Sequence, residues 1–348
     1  MPLVLETSEG PSSWSSDKRQ WTHIFNDGDK SSDGLNIALV NNMPDAAIEG
    51  TEEQFCKLLA AAADCIPINL RLYSLPHIQR GERAQRHLTK FYKSTMELLN
   101  ERVDGVIITG TEPHQSNLRD EPYWRALVSL FDWAEENSTS AVLSCLAAHA
   151  GVLHSDGIVR NPLKDKCFGV FGHRRVSDHP LTKGFNHSWH ISHSRWNEVR
   201  AGELTACGYR VLTESTCAGV DLFVKKKKKS LFVHFQGHPE YLTDTLFKEY
   251  RRDVKRFLRH ERDKYPLFPA GYFDNSSRAL FDAFRERAIL ERREEIMETF
   301  PVPTLIASLE NSWGASSVEV YHNWLEYLTS HHLVTAAVSK PLTKASHS

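Results

Sequence analysis

The sequence contains no apolar run that approaches the roughly 20 residues needed to cross a bilayer. Residues 1–30 are polar and lack the apolar segment of a signal peptide. Cysteine is sparse, with 6 among 348 residues and no CxxC pair, so we expect neither a disulfide framework nor a structural zinc site. No GxGxxG or P-loop pattern occurs, which argues against a bound dinucleotide or ATP. We therefore expect a cytoplasmic protein with free thiols and no bound cofactor.

Net charge is also nearly absent. Lys and Arg total 42 against 44 Asp and Glu, giving a formal net charge of −2. Such a balance provides no general attraction to nucleic acid or to an acidic membrane surface. The histidines at 173, 179, 187, 190 and 193 are irregularly spaced, so no catalytic metal is expected. The length and the 41% hydrophobic content are sufficient for one large or two modest globular domains.

Strand-length apolar runs alternate with helical patterns along much of the chain. Runs at 35–40, 103–109 and 141–144 predict strands, and the periodicity of 51–63 and 123–134 predicts amphipathic helices. Helices are also predicted over 88–99, 277–298 and 316–330. This alternation predicts an α/β fold with a doubly wound parallel sheet. We expect a flexible lead-in over 1–34, a main domain over 35–262 and a C-terminal helical region over 263–348.

The apolar strand before Cys145 ends at a small polar pair and continues as a helix. A thiol at such a turn lies at the carboxyl edge of the sheet, where the helix N-terminus favours a thiolate. A second apolar strand ends in Gly237-His238-Pro239-Glu240, which places an imidazole and a carboxylate two residues apart. These three groups are the components of a nucleophilic triad. A buried structural cysteine with an unrelated turn remains the alternative.

Three other features allow both a functional and a structural interpretation. His193-Ser194-Arg195 fits a small polar substrate or simple packing, and His149 is either a partner of the thiol or a packed side chain. The run Lys225 to Lys229 is typical of a solvated hairpin tip. It also fits a phosphate contact for a nucleotide-bearing donor, or a nuclear-import or nucleic-acid patch.

An ordered set of motifs resembles the homoserine O-succinyltransferase and O-acetyltransferase family of methionine biosynthesis, whose fold is similar to class I glutamine amidotransferases. The resemblance covers about residues 35 to 260, with a weaker match near the C-terminus. In chain order the matching pieces are Asn42-Met43-Pro44, Glu53-Gln54-Phe55, Asp104 to Gly110, Tyr123-Trp124, Cys145, Lys166, Gly169-Val170, His193-Ser194-Arg195, Gly237 to Tyr241, Arg252-Asp253-Val254 and Asn323-Trp324-Leu325. The resemblance implies a flavodoxin-like sheet with a C-terminal helical extension.

The same resemblance implies roles for individual residues. Cys145 would carry the acyl group as a thioester, His238 would be the general base and Glu240 would orient it. Arg252 would bind the amino-acid carboxylate, with Lys166 and Ser194 lining the substrate site. The implied reaction is acyl transfer from succinyl-CoA to homoserine, with acetyl-CoA as the alternative donor and serine as an alternative acceptor. A homodimer is also implied.

The chain departs from the family pattern at two places. Asp45-Ala46-Ala47 replaces a lysine pair, and His114 occupies the position at which succinyl and acetyl users typically carry Gly or Glu. The main-chain N–H groups of Leu146 and Thr111 are candidates for an oxyanion hole. A glutamine amidotransferase is a rival hypothesis, although the usual Gly-x-Cys-x-Gly is here Ser144-Cys145-Leu146-Ala147. A non-catalytic binding protein on the same fold is another.

Overall fold

The computed structural model describes residues 3–7, 10–15, 20–23, 34–185, 189–301 and 309–338. Within these ranges the main sheet has eleven strands and a smaller sheet has four. The strands are β1 Leu3–Thr7, β2 Gly10–Ser15, β3 Gln20–His23, β4 Leu35–Val40, β5 Ile68–Ser74, β6 Tyr92–Ser94, β7 Val103–Ile108, β8 Ser138–Ser144, β9 Asn161–Arg175, β10 Trp189–Glu198, β11 Arg210–Val211, β12 Thr213–Ser215, β13 Gly219–Val220, β14 Leu222–Lys227 and β15 Ser230–Phe235.

Helices separate most of these strands. They are α1 Ile48–Ala62, α2 Glu82–Phe91, α3 Thr95–Leu98, α4 Trp124–Asn137, α5 Leu146–Asp156, α6 Ala201–Ala206, α7 Thr245–Leu258, α8 Asn275–Glu291 and α9 Gly314–Val338, with 3₁₀ turns at Leu118–Asp120, Pro180–Thr182 and Glu294–Thr299. None of the described helices is both long enough and apolar enough to cross a bilayer.

The central strands run in the order β5-β4-β7-β8-β15 and are parallel throughout. Numbered as parallel strands in chain order, they read 2-1-3-4-5, the order of flavodoxin-like sheets. Strands β8 and β15 are buried almost along their whole length, as expected of central parallel strands covered on both faces. The predicted doubly wound α/β fold is confirmed.

Two apolar layers cover the main sheet. On one face α1 and α9 pack against β1, β4 and β5, with large contributions from Phe55, Trp324 and Leu325. On the other face α4 and α5 pack through Leu127, Phe131 and other apolar side chains. The smaller sheet, ordered β10-β9-β12-β13, and a third apolar cluster formed by α7, α8 and β9 lie beyond this core. The carboxyl ends of β7, β8 and β15 therefore share one edge of the main sheet, with α5 beginning there.

The structure differs from the sequence-based predictions in three segments. No strand was predicted before residue 35, yet β1 pairs in parallel with β5 and buries Leu3 and Leu5. The predicted helix over 88–99 is interrupted, because β6 pairs with the end of β5 and the helix resumes as α3. The predicted helix over 277–298 ends at Glu291, and the 3₁₀ turn follows. In the first two segments pairing with β5 overrides the local pattern.

The C-terminal helix α9 is part of the core of the main domain. Trp324 is buried against β7 and its indole N–H donates to Ser140 Oγ at 3.0 Å. A Cβ placed on Gly105 would lie 2.7 Å from two ring carbons of Trp324, so the indole occupies the space left by that glycine. The two residues are 219 positions apart, which is why sequence pattern alone did not reveal the contact. The proposed boundary at 262/263 stays a prediction.

We predict that Gly105→Ala lowers the free energy of unfolding by about 1–3 kcal/mol, because the new methyl group overpacks Trp324. Gly50→Ala is a matched control, since a Cβ at Gly50 meets nothing within 4 Å. In α1 that substitution should instead stabilise by about 0.5–1 kcal/mol. Urea unfolding followed by tryptophan fluorescence measures both. Equal stability of the two variants would contradict the close packing of α9 on β7.

Candidate active site

Cys145 lies at the turn between β8 and α5, in a strained backbone conformation with φ 50° and ψ −108°. The main-chain N–H of Cys145 donates to the carbonyl of Phe235 at 2.8 Å, and the carbonyl of Cys145 accepts from the N–H of His149 at 3.2 Å. These two hydrogen bonds hold the turn in place. The side chain is only partly buried, so the thiol is accessible. A non-glycine residue at positive φ is a conformation found at functional sites. The geometry places a partly exposed thiol at a helix N-terminus.

Gly110, at the end of β7, lies directly against the first residue of α5. A Cβ on Gly110 would be 2.7 Å from Leu146 Cβ and 3.1 Å from Leu146 N. Glycine is therefore required for this close approach of two backbone segments. The N–H of Leu146 is in the first turn of α5, where the helix itself supplies no acceptor. The segment from Gly110 to the half-buried Thr111 thus runs beside a free N–H next to Cys145.

His238 follows β15 and is fixed from several sides. The main-chain N–H of His238 donates to the carbonyl of Ser192 at 2.8 Å, and the Ser192 hydroxyl donates to the main-chain carbonyl of His238 at 2.6 Å. The ring stacks on Tyr241 at 4.2 Å between centroids, with 17° between the planes. Nδ1 lies 2.8 Å from Oε1 of the buried Glu240. Glu240 Oε1 also accepts from the hydroxyl of Ser144, the residue before Cys145, at 3.3 Å.

The thiol, the imidazole and the carboxylate form one connected group. Burial alone lowers the pKa of His238, but the neighbouring Cys145 and Glu240 outweigh it through charge and hydrogen bonding, and the pKa is raised well above 6.5. The thiol is therefore close enough to the imidazole for its charge to act on the ring. The structure therefore brings together the three residues that the sequence singled out, in the arrangement of a Cys-His-Glu triad.

We predict that Cys145→Ala lowers the pKa of His238, since the strongest interaction that raises it is removed. The titration of the His238 ring followed by NMR measures this, with Cys65→Ala as the control because Cys65 is exposed and its thiol contacts Asp64. Because the pKa of His238 is higher in the folded protein than its unfolded value of about 6.5, protonation of this histidine stabilises the fold. This contribution to the free energy of unfolding is complete below a pH of about 6.5 and is lost as the pH rises through the pKa of the folded state. An unchanged His238 titration in Cys145→Ala would contradict the coupling.

Glu249 on α7 connects the other residues predicted to bind substrate. Its carboxylate accepts from the hydroxyls of Tyr241, at 2.5 Å, and Ser194. Lys166 Nζ lies 3.3 Å from Glu249 Oε2 and 3.4 Å from Asp253 Oδ2. Burial would raise the pKa of Glu249, but Lys166 and the two hydroxyls outweigh it and the pKa is lowered. Glu249 is therefore an anion at neutral pH.

Arg252, one turn further along α7, lies at the outer side of this group. Its guanidinium contacts Asp253 Oδ1 at 3.2 Å and lies 3.9 Å from Glu249 Oε2, and the side chain is 51% exposed. Since Tyr241 stacks on His238 and also donates to Glu249, the two groups of polar residues are adjacent. The structure thus places Lys166, Ser194 and Arg252 beside the triad.

The family model of homoserine O-succinyltransferase matches residues 26–334. The chain belongs to the homoserine O-succinyltransferase family. A homoserine O-succinyltransferase of Rhodopseudomonas palustris is 42% identical over 296 residues, covering 85% of this chain and 89% of the relative. That of Methylorubrum extorquens is 41% identical over 291 residues, covering 84% and 86%. The predictions of the family and of an acyltransferase are confirmed.

Two solved structures are similar to this family member at low sequence identity. A putative GMP synthase component from Thermoplasma acidophilum has a TM-score of 0.48 at 12% identity, covering 87% of this chain and 98% of its own. A glutamine amidotransferase from Thermotoga maritima has a TM-score of 0.45 at 11% identity, covering 85% and 98%.

Several features that the sequence left open are resolved by their contacts. His149 is buried, its Nε2 lies 2.9 Å from Gln236 Oε1, and burial lowers its pKa to about 3, which supports packing. The lysine run lies in and beyond β14, where Lys225 pairs with Asp156 at 2.6 Å and Lys228 with Glu135 at 3.2 Å. These ion pairs favour the interpretation as a hairpin tip. Among the described residues no His, Cys, Asp and Glu group could hold a metal ion.

His114 is exposed, and its backbone is part of an ordered loop. The N–H groups of His114 and Gln115 both donate to Oε1 of the buried Glu121 at 2.6 Å. The sequence pattern did not assign a role to Glu121, Tyr241 or Glu249. Tyr241 follows directly on the Gly-His-Pro-Glu motif, and Glu249 lies one helical turn before Arg252, so their positions beside recognised motifs were the available signals.

Proposed function

We propose that this member of the family transfers a succinyl group from succinyl-CoA to the hydroxyl of L-homoserine, through a thioester on Cys145, in methionine biosynthesis. The observation that carries the proposal is the connected group of Cys145, His238 and Glu240, with an accessible thiol. The names of the relatives favour a succinyl group as the one transferred and homoserine as its acceptor. We also propose that the protein acts in the cytoplasm, as its composition predicts, and forms a homodimer, as the family resemblance implies.

In the first half-reaction the Cys145 thiolate attacks the thioester carbonyl of the donor. A C–S bond to Cys145 forms, the C–S bond to coenzyme A breaks, and the leaving thiolate takes the proton held by His238. The acyl group remains activated because one thioester replaces another. A histidine with a raised pKa suits this step, since it holds its proton while the thiolate attacks.

In the second half-reaction homoserine replaces coenzyme A. Neutral His238 removes the hydroxyl proton, the oxygen attacks the acyl carbon, and the C–S bond to Cys145 breaks. The products are O-succinylhomoserine and the regenerated thiolate–imidazolium pair. Glu240 keeps Nδ1 protonated at 2.8 Å and thus directs the other ring nitrogen to the reaction.

The amino-acid end of homoserine would bind in the polar group around Glu249. Arg252 is half exposed and can bind the substrate carboxylate with two parallel N–H donors. Lys166 and Ser194 hold Glu249 in place and line the site. The N–H groups of Leu146 and Thr111 would stabilise the oxyanion, where one donor typically contributes about 3 kcal/mol.

A matrix of two donors and two acceptors tests the proposal. The full-length protein is mixed with succinyl-CoA or acetyl-CoA, and intact mass shows whether one acyl group is added. Homoserine or serine is then supplied and the product is identified by mass. We expect a succinyl adduct that disappears on addition of homoserine. An acetyl adduct alone would assign the other donor, and ammonia release from glutamine without acyl transfer would contradict the proposal.

A further inference from the structure

Arg160 is a half-buried cation close to the nucleophile that the proposed mechanism does not use. It lies between Gly157, the C-cap of α5, and the first residue of β9. Its electrostatic partners are the Tyr123 hydroxyl, the Cys145 thiol and the Glu121 carboxylate. Burial lowers the pKa of Arg160, and these three groups offset the effect only in part. The guanidinium is therefore half-buried and close enough to the sulfur for the two charges to interact.

Nothing in the described part of the chain satisfies this guanidinium. No hydrogen bond or ion pair to Arg160 occurs there, although an arginine offers five N–H donors. The two side chains near it also have polar atoms without a hydrogen-bond partner. Glu121 and Tyr123 are each 4% exposed, and Glu121 Oε2 and the Tyr123 hydroxyl are buried without a hydrogen-bond partner. We call Glu121, Tyr123 and Arg160 the Arg160 cluster.

Unpaired buried polar groups are costly unless a ligand or water completes them. The other Glu121 oxygen is held by the N–H groups of His114 and Gln115, so this carboxylate is fixed in the loop that precedes α4 and does not pair with Arg160. The Tyr123 hydroxyl and the guanidinium remain as donors. These two donors lie near Cys145, and one of them is cationic. They therefore suit a negatively charged group on the acyl chain that is bonded to the sulfur.

The other cations of the site already pair with carboxylates of the protein, and Arg252 is also assigned to the carboxylate of homoserine. Lys166 is within 3.4 Å of both Glu249 and Asp253, and Arg252 contacts Asp253 at 3.2 Å. Arg160 forms no ion pair with a carboxylate among the described residues, and Glu121 acts on it only at longer range. A second carboxylate arriving with the acyl group is therefore expected at Arg160, where an arginine can bind it with two parallel N–H donors.

We propose that Arg160, assisted by the Tyr123 hydroxyl, binds the terminal carboxylate of the acyl group on Cys145 and so selects a dicarboxylic acyl donor. This inference rests on the proposed function. A succinyl group places its carboxylate two methylene groups from the thioester carbon, whereas an acetyl group has no charge for Arg160 to bind. His114 belongs to the loop that Glu121 holds, so this exposed histidine lies next to the Arg160 cluster.

The experiment compares succinyl-CoA with butyryl-CoA, a donor of the same chain length without the carboxylate. Single-turnover acylation of Cys145 is followed by intact mass and by release of coenzyme A. We expect Arg160→Gln to lower kcat/KM for succinyl-CoA by about 100-fold and to change that for butyryl-CoA by less than about threefold. Arg160→Lys, which keeps a point charge, should retain part of the preference.

Arg119→Gln is the matched control. Arg119 lies in the same loop, is exposed and donates at 3.4 Å to the carbonyl of Leu153 in α5, so the change removes the same charge nearby. In Arg119→Gln we expect the acylation rates with succinyl-CoA and with butyryl-CoA to stay within about twofold of those of the protein without the substitution. Tyr123→Phe, which removes only the hydroxyl, should lower the succinyl rate by about tenfold and spare butyryl-CoA. It provides a second measurement if Arg160→Gln does not fold.

The outcomes separate the two proposals. If the unmodified protein forms a succinyl adduct and Arg160→Gln and Tyr123→Phe keep the same succinyl-to-butyryl ratio, the Arg160 subsite is wrong and the proposed function stands. If both donors lose reactivity equally in Arg160→Gln, Arg160 has a structural role and the inference is overturned. If the unmodified protein takes no acyl group from any donor, the proposed function itself fails.

Discussion

Cys145→Ala is expected to lower kcat for acyl transfer by at least about 10⁴-fold, because the sulfur is the atom to which the acyl group is bonded between the two half-reactions. Neither Cys56 nor Cys167 is a suitable substitute. Cys56 is fully buried, and burial, followed by Glu52 and Glu53, raises its pKa. Burial also raises the pKa of Cys167. Cys145 is only partly buried, lies at a helix N-terminus and interacts with His238 through its charge.

Two measurements check this result on the same preparation. Initial rates give the loss of transfer to homoserine, and intact mass after mixing with succinyl-CoA shows the loss of the adduct. Cys65→Ala is the control, since Cys65 is exposed and belongs to the loop between α1 and β5, away from the carboxyl edge of the sheet. It should keep full activity and the adduct. A Cys145→Ala protein that still transfers the succinyl group at an undiminished rate would rule out the thioester mechanism.

The parallel core of the fold could be predicted because each central strand is a nearly continuous apolar run. β8 and β15 are such runs, and each ends where a small or polar residue breaks the pattern. Parallel strands bring their carboxyl ends to one edge, so the sequence alone placed Cys145 and His238 near each other. The structure agrees, because the chain passes directly from these strands to the two residues.

The parts that could not be predicted depend on contacts between distant segments. β1 is short, and only its pairing with β5 makes it a strand. Helix α9 reads as an extension, yet Trp324 fills the space above Gly105. Periodicity describes which face of an element is apolar but not which distant element covers it.

The same limit applies to the candidate site. Recognised motifs supplied the triad, while the ion pairs that fix Glu249 and the unsatisfied donors of Arg160 depend on distances and burial. Lys166 and Arg252 were expected to face substrate directly, and the structure shows that each is also paired with a neighbouring carboxylate. A motif that contains a basic residue therefore does not reveal whether that residue is paired with a carboxylate. Arg160 differs from Lys166 and Arg252 because it forms no such ion pair in the described part of the chain.

His238→Gln is expected to slow both half-reactions by about 10³-fold, since a positioned general acid–base group typically contributes between about 10² and 10⁴. Glutamine keeps polarity and approximate size but cannot carry the proton between the leaving thiolate and the incoming hydroxyl. The loss should appear in both steps because His238 is the acid in the first and the base in the second. Rapid mixing resolves them: release of coenzyme A reports acylation, and homoserine added to the pre-acylated protein reports deacylation.

His190→Gln is the control, because His190 is a partly buried histidine on β10 outside the triad, and both rates should stay within about twofold. Added imidazole should restore part of the lost rate in His238→Ala, because the smaller alanine leaves space beside Tyr241 and Glu240 for a free base. If acylation proceeds at the normal rate in His238→Gln while only deacylation is lost, the thiolate forms without this imidazole. The helix N-terminus at α5 would then have to stabilise the anion by itself, and the assignment of His238 would be restricted to the second step.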